Sequence, residues 1–334
     1  MNNMEWNPKR LLETSGNYWL SCTLHAAVKI DVFTALADKE LTGVELAKKT
    51  RCDKRGLIML LNAVTAMQLL KKKGEKYLNS PASKTFLSKD SPKYLGHIIM
   101  HHHHLVESWE QLDKAIITGK PVRKRSSSED KEDNKVRESF LMGMFNMAMN
   151  IAPYIVSQID LSGRTHFLDL GGGPGTYAIH FCLENPELKA TIFDFPTTKP
   201  FAQKTIKKFD LSKRIDFQAG NFTVDEIKGK YDVAWLSHVL HSEGPDECQR
   251  VIDKTAAVLE PGGMLMVHEF ILDKAMSGPL FPALFSMNML LGTSEGQSYS
   301  DIQLKEMLKK AGLKKIKRLD FCGPNDSGII VGIK

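Results

Sequence analysis

The stretch Phe167-Leu-Asp-Leu-Gly-Gly-Gly-Pro-Gly-Thr-Tyr-Ala-Ile-His180 decides the fold. Its first four residues are mostly apolar and read as a buried strand, and Tyr177 to Leu183 has helical composition. A glycine cluster joins the two. Strand, glycine turn, helix is how an α/β sheet presents backbone N–H groups to a nucleotide-like ligand at a strand's carboxyl end. Glycines at 171, 173 and 175 permit positive φ and leave no Cβ between backbone and ligand. The spacing argues against a dinucleotide, because Gly171-x-Gly173-x-x-Thr176 puts threonine where that fingerprint takes Gly or Ala.

Downstream, strands and helices alternate. Ala190-Thr-Ile-Phe-Asp194 is a second strand, ending in an acid 25 residues after Asp169, where this kind of fold places a carboxylate for ribose hydroxyls. A third strand, 215–218, leads to Gly220-Asn-Phe222, and a fourth, 231–236, to Ser237-His-Val-Leu-His241. A helix over 246–259 precedes Pro261-Gly-Gly263 and the strand 264–269, and another helix spans 301–311. Residues 316–321 and 328–333 close the chain as an antiparallel hairpin, which makes the sheet mixed and doubly wound.

Upstream, residues 9–37 have a helical pattern that is apolar around nearly its whole circumference, so it is expected to be buried in a core or against another subunit. Helical patterns at 41–47 and 54–70, followed by a Gly-turned hairpin at 71–79, read as a winged helix-turn-helix. The helix that would enter a DNA groove carries Leu57, Ile58, Met59, Leu60 and Leu61, leaving few side chains to read bases, so the module is assigned to packing and dimerisation. In the next helix His97, His101 and His104 share one face, as a polar pocket wall or as metal ligands; with no carboxylate in register, no metal is expected. Residues 122–135 are strongly polar and read as a mobile surface loop, and the Met- and Phe-rich run 140–149 suits a core or the wall of a flat apolar site. The domains expected are 1–90, a helical linker and pocket region 91–160, and 161–334.

Of the 334 residues 25% are charged, and the net charge of +6 is spread over many lysine-rich helices without forming a block. This points away from nucleic acid. Five scattered cysteines without a CxxC indicate reduced thiols. No apolar leader and no run of 18 apolar residues is seen, so no membrane is expected and the cytoplasm is the expected location.

Asp169-Leu-Gly-Gly-Gly-Pro-Gly175 resembles motif I of the class I S-adenosylmethionine (SAM) methyltransferases. With Val239-Leu-His241 before an acid-rich helix, and Pro261-Gly-Gly263 before Val267-His-Glu269, the chain resembles, over nearly its whole length, the small-molecule O-methyltransferases typified by the caffeic acid and acetylserotonin enzymes. The resemblance implies a Rossmann-like SAM domain behind an N-terminal winged-helix dimerisation domain, a homodimer, a small-molecule substrate, SAM as methyl donor and S-adenosylhomocysteine as product. It implies that Asp169, Gly171, Gly173 and Gly175 wrap the amino-acid part of SAM and that Asp194 holds the ribose. Asn221 and Phe222 would clasp adenine, Asn221 standing where the family has Asp, and Ser237 stands where some relatives place a lysine near the SAM carboxylate. His241 matches the catalytic histidine and Glu269 the carboxylate that orients it. The family's second carboxylate aligns with Ser298 to Ser300, and Glu295 is the nearest acid in sequence. His101, His104, Phe140, Met144, Met287 and Glu295 are the candidates for the acceptor pocket.

A phenol, with a pKa of about 10, is mostly neutral at pH 7, so a base within hydrogen-bond reach raises its anionic fraction. Histidine suits that task, and Glu269 would fix its tautomer. His238 is read as structural, and His268 should point away from Glu269 by strand alternation. A thiol or an activated carbon as acceptor, and a non-catalytic SAM-binding regulator, are the competing readings.

Overall fold

The computed structural model describes residues 5–123 and 131–334, with the side chains of 131–135 excepted. It divides into two compact units, 1–105 with 138–146, and 106–137 with 147–334, so the expected 91–160 region is shared between them.

The first unit contains α1 (Pro8–Gly16), α2 (Tyr18–Lys29), α3 (Val32–Leu36), β1 (Leu41–Thr42), α4 (Gly43–Thr50), α5 (Lys54–Ala66), β2 (Leu70–Lys73), β3 (Lys76–Asn79) and α6 (Pro81–Phe86). Short polar caps set these boundaries. Thr42 and Glu45 form a reciprocal capping box on α4, and Asp53 accepts the Gly56 N–H at the start of α5. The three strands order as β1-β3-β2 beside α4 and α5, which is the winged-helix arrangement. Its core gathers Val32, Phe33, Leu36, Leu46, Leu57 and Leu61. Of the apolar span 9–37, Ala27, Val28, Val32, Phe33 and Leu36 enter this core, whereas α1 buries nothing and Leu12 and Trp19 are 74% and 68% exposed. α2 buries His25, Ala27 and Val28 in the core of this unit, while Tyr18, Trp19 and Leu20 stay exposed.

Then come α7 (Gly96–Trp109), α8 (Leu112–Thr118) and α9 (Lys131–Val156). Residues 124–130 of the expected polar loop lie outside the described residues, and from Lys131 the chain is already helical, as Lys, Glu and Arg favour. The stretch Val136–Ser157 is long and apolar enough to cross a membrane by length and composition, but Ala152, Ile155 and Val156 sit in the core of the second unit.

The second unit is built on β4 (His166–Leu170), β5 (Lys189–Asp194), β6 (Ile215–Ala219), β7 (Tyr231–Ser237), β8 (Leu259–Phe270), β9 (Lys314–Arg318) and β10 (Ser327–Ile333). Between them run α10 (Thr176–Glu184), α11 (Lys199–Lys208), α12 (Pro245–Val258), α13 (Leu280–Gly292) and α14 (Asp301–Lys310). The strand order β6-β5-β4-β7-β8-β10-β9 is parallel except for β10, which runs antiparallel to both neighbours. Alternation along the strands feeds two cores. Phe167, Val233, Trp235 and Met266 face α10 and α11, whereas Leu168, Ala234, Leu236 and Val267 face α12 and α14.

Candidate functional site

β4 and β7 are neighbours at the centre of the sheet, but β4 connects onward to β5 on one side and β7 to β8 on the other. Such a switch point opens a crevice beyond the carboxyl ends of the two strands. The glycine turn lines it from β4. Gly171, Gly173 and Gly175 have φ of 65°, 56° and 83°. A Cβ on Gly171 would strike Val239 and one on Gly175 would strike Ile192, so those two glycines serve close packing. A Cβ on Gly173 would meet nothing within 4 Å, so this backbone faces open space. Asp194, at the end of β5, accepts from Gly173 N at 2.8 Å, Phe195 N at 2.6 Å and Thr198 Oγ1 at 3.1 Å. Burial pushes its carboxyl up, against the pull of those three bonds. Phe195 is 40% exposed, with its ring 5.5 Å from that of Phe222. An open positive-φ turn, a fixed carboxylate and an aromatic pair fit a small ligand with polar and flat parts. Phe195 escaped the sequence reading, although it directly follows Asp194.

Asp169 has a different setting. It is buried beneath the turn, where Oδ2 accepts Ala178 N at 3.1 Å and anchors the first turn of α10. Burial raises its carboxyl to about 7.

β7 supplies the other wall. After Ser237 the backbone turns through His238, with φ of 56°, into a single 3-10 turn, Leu240–Ser242. That break in strand alternation aims His238 and His241 at one carboxylate. His241 Nδ1 lies 2.9 Å from Glu269 Oε2 and His238 Nδ1 3.6 Å from the same oxygen, while Oε1 accepts Leu240 N at 2.9 Å and His241 N at 3.3 Å. Burial alone would raise the Glu269 carboxyl. The favourable electrostatics of the adjoining His241 and the His241 hydrogen bond, with His238 close by, overcome it and hold Glu269 far below the usual carboxylate range. Glu269 is therefore an acceptor, so His241 Nδ1 is the donor and Nε2 is left to take a proton. Phe285 meets the His241 ring edge-on at 4.8 Å, Phe270 packs 4.3 Å from His238, and Phe281 lies 4.9 Å from Phe270. The arrangement is a buried anion holding a partly exposed imidazole at the rim of an aromatic box.

His238, read from the sequence as structural, joins this cluster. His268 does point the other way: its ring lies 5.5 Å from Trp235, with Nδ1 2.9 Å from Ser237 Oγ and Nε2 3.1 Å from Ser327 Oγ. Ser237 is thus held inside that network. Asn221 Oδ1 accepts from Thr223 N at 3.0 Å and Thr223 Oγ1 at 2.8 Å, closing a local turn. Ser298 is buried and donates to Pro282 O at 2.9 Å. Glu295 is exposed, and its carboxylate occupies the space a Cβ on Gly244 would need. Met287 lies two residues, about 160°, around α13 from Phe285, so it is on the opposite face from His241.

The remaining pocket candidates belong to the first unit. There His101 packs 5.1 Å from Phe140, His104 lies 5.6 Å from His103, and Met144 is half-buried. His97, His101 and His104 do not gather ligand atoms. Among the described residues, only His238, His241 and Glu269 form a group of three with ligand atoms within 4.8 Å of one another.

Residues 109–314 match the model of the O-methyltransferase domain, and residues 12–89 that of the O-methyltransferase dimerisation domain. The chain is 30% identical over 331 residues to 3-hydroxy-5-methyl-1-naphthoate 3-O-methyltransferase of Streptomyces sahachiroi, covering 98% of this chain and 95% of that protein. It is 26% identical to L-tyrosine C(3)-methyltransferase of Streptomyces lavendulae, covering 93% of this chain and 88% of that protein. The crystal structure of human N-acetylserotonin methyltransferase in complex with SAM superposes with a TM-score of 0.86 at 26% identity, covering 100% of this chain and 99% of that one.

Proposed function

The chain belongs to the O-methyltransferase family that carries an N-terminal dimerisation domain, and from that premise we propose that it methylates a hydroxyl of a small aromatic metabolite with His241 as general base. It is a SAM-dependent methyltransferase; the acceptor and the residue roles are our reading. The observation that carries it is the 2.9 Å pair of His241 Nδ1 and Glu269 Oε2 at the switch point of the sheet.

When bound, SAM supplies a methyl carbon made electrophilic by its sulfonium. Gly171 to Gly175 would hold the amino-acid end, Asp194 the ribose, and Phe195 with Phe222 the flat adenine. His241 Nε2 accepts the proton of the acceptor hydroxyl as the oxygen forms its bond to carbon. Glu269 keeps Nδ1 protonated and stabilises the imidazolium that results. Phe270, Phe281 and Phe285 exclude water and give a flat acceptor a surface to lie against.

The exposed apolar residues of α1 and α2 support a homodimer formed through the N-terminal domain. Five free cysteines support a reducing setting such as the cytoplasm.

A second reading moves the new bond to a ring carbon. It is favoured by Ser298, which stands where the resemblance places a second carboxylate and whose hydroxyl is committed to Pro282 O. Phenol ionisation by His241 activates a neighbouring ring carbon as well as the oxygen. Methyl transfer from deuterium-labelled SAM to a panel of phenols and thiols, with products placed by mass spectrometry and NMR, tests both. A labelled methoxy group lost in His241→Ala supports the first reading. Label on carbon supports the second. Label on sulfur that survives the mutation overturns the base assignment.

A further inference from the structure

Glu269 Oε2 faces two imidazoles, of which general-base catalysis uses one. His241 Nδ1 lies 2.9 Å away as a hydrogen-bond donor. His238 Nδ1 lies 3.6 Å away, beyond hydrogen-bond range, and is buried with no hydrogen-bond partner. Leaving a buried ring nitrogen in that state is costly. Its aim is nevertheless built into the backbone, because His238 has φ of 56°, a left-handed conformation that bulky side chains rarely adopt. Phe270 at 4.3 Å and His268 at 4.5 Å hold the ring in place. His268 has no nitrogen to spare, since the Ser237 and Ser327 hydroxyls occupy both.

His238 Nδ1, His241 Nδ1 and Glu269 Oε2 lie within 4.8 Å of one another. Ligand atoms about 2.1 Å from a tetrahedral ion stand about 3.4 Å apart. The two distances to Oε2, 2.9 and 3.6 Å, fall either side of that value. Two imidazoles and one carboxylate are the donor set zinc takes when it keeps a fourth position open, whereas magnesium and calcium prefer oxygen. The carboxylate is already oriented for the task. Its Oε1 accepts Leu240 N and His241 N, which leaves Oε2 facing the two rings. Their side chains are 28% and 14% exposed, so an ion from solvent can reach them.

We propose that His238, His241 and Glu269 form a reversible binding site for one Zn2+ ion, and that zinc bound there switches the base off. Coordination at His241 Nδ1 moves the ring proton to Nε2, with no proton gained or lost by the ring. The atom that would take the acceptor's proton then already carries one. This inhibition rests on the reading of His241 as the base; the zinc site itself does not.

Calorimetric titration of the untagged, full-length protein with Zn2+ tests the site without any methyl transfer. The histidines of α7 offer zinc another place, so the titrations use a His101→Gln, His104→Gln background, in which no two α7 histidines are left three or four residues apart. One Zn2+ per chain is expected, and Mg2+ in large excess should not displace it. His238→Asn, chosen because asparagine tolerates a left-handed backbone, and Glu269→Gln should each weaken binding at least about tenfold. Long-range proton–nitrogen NMR spectra should show the His241 proton moving from Nδ1 to Nε2 as zinc is added. The site is overturned if the background binds no zinc, if neither variant weakens binding, or if His241 keeps its Nδ1 proton in the zinc-loaded protein. If zinc binds and the proton moves, yet a neutral phenol is methylated at the metal-free rate, His241 is not the base and the zinc site stands. Binding and the proton shift are both read with the three ligands intact, so a misfolded variant does not protect the idea.

Discussion

Leu240 and Glu269 are joined by a 2.9 Å hydrogen bond from the backbone N–H of the first to Oε1 of the second, which leaves Oε2 to His241. One carboxylate thus fixes both the turn that carries the base and the tautomer of the base. Removing it should damage both. Glu269→Gln, which can still accept from Leu240, is expected to lower kcat about ten- to a hundredfold with little loss of stability. Glu269→Ala should also cost about 3 kcal/mol in denaturant unfolding, since it leaves buried N–H groups and imidazoles unpartnered. Equal stability of the two variants would contradict the structural half of this role.

Replacing His241 with alanine should reduce methylation of an ordinary phenol by about 10²- to 10⁴-fold. With nitrophenols already ionised at the assay pH the loss should shrink to a few-fold, because no proton then has to move. A constant loss across acceptors of falling pKa would show that His241 positions and does not take the proton.

The three positive-φ glycines should separate by their surroundings. Gly173→Ala costs about 1–2 kcal/mol of backbone strain and little else, because its Cβ meets open space, yet it should weaken SAM binding. Gly175→Ala adds a clash with Ile192 and should be the more destabilised of the two in thermal melts without ligand. If the melts matched, the packing contrast would have no energetic weight.

Asp169 gives a pH signature. Burial raises its native value to about 7, against about 3.9 in an unfolded chain. Below pH 4 both states hold the proton, and the group's contribution to stability is complete. From pH 4 to 7 the unfolded chain ionises first, so the contribution falls and is gone once pH passes the native value. Wild type should lose up to about 4 kcal/mol more than Asp169→Asn over that range in denaturant titrations. Parallel curves would refute the buried, protonated carboxyl.

The N-terminal helices leave Leu12 and Trp19 bare. The double variant Leu12→Glu, Trp19→Glu should remain folded in circular dichroism and run as a monomer in light scattering, where wild type is expected to run as a dimer. A dimer that persists would place the interface elsewhere.

The strand-and-helix alternation and the glycine turn are legible in the sequence, because periodicity and motif spacing report local geometry directly; the His241–Glu269 pair is legible only through the family resemblance. What failed was rotation and aim. His238 reads as structural from its place three residues before His241, facing the sheet, but its left-handed backbone turns it toward Glu269. Met287 was picked from a helix with apolar residues on most of its faces, a pattern that does not tell which side meets His241. The burial expected of α1 and α2 was a correct statement about hydrophobicity that a single chain does not satisfy.

The missing Cβ of Gly171 is filled by Val239, so the β4 turn and the β7 turn brace each other across the middle of the sheet. Phe281 and Phe285, which pack against Phe270 and His241, belong to one helix, outside the sheet. Mutations along that helix can therefore retune which molecule enters while the brace holds its form. Lineages can explore new acceptors on such a chassis one side chain at a time, without relearning how to transfer the methyl group.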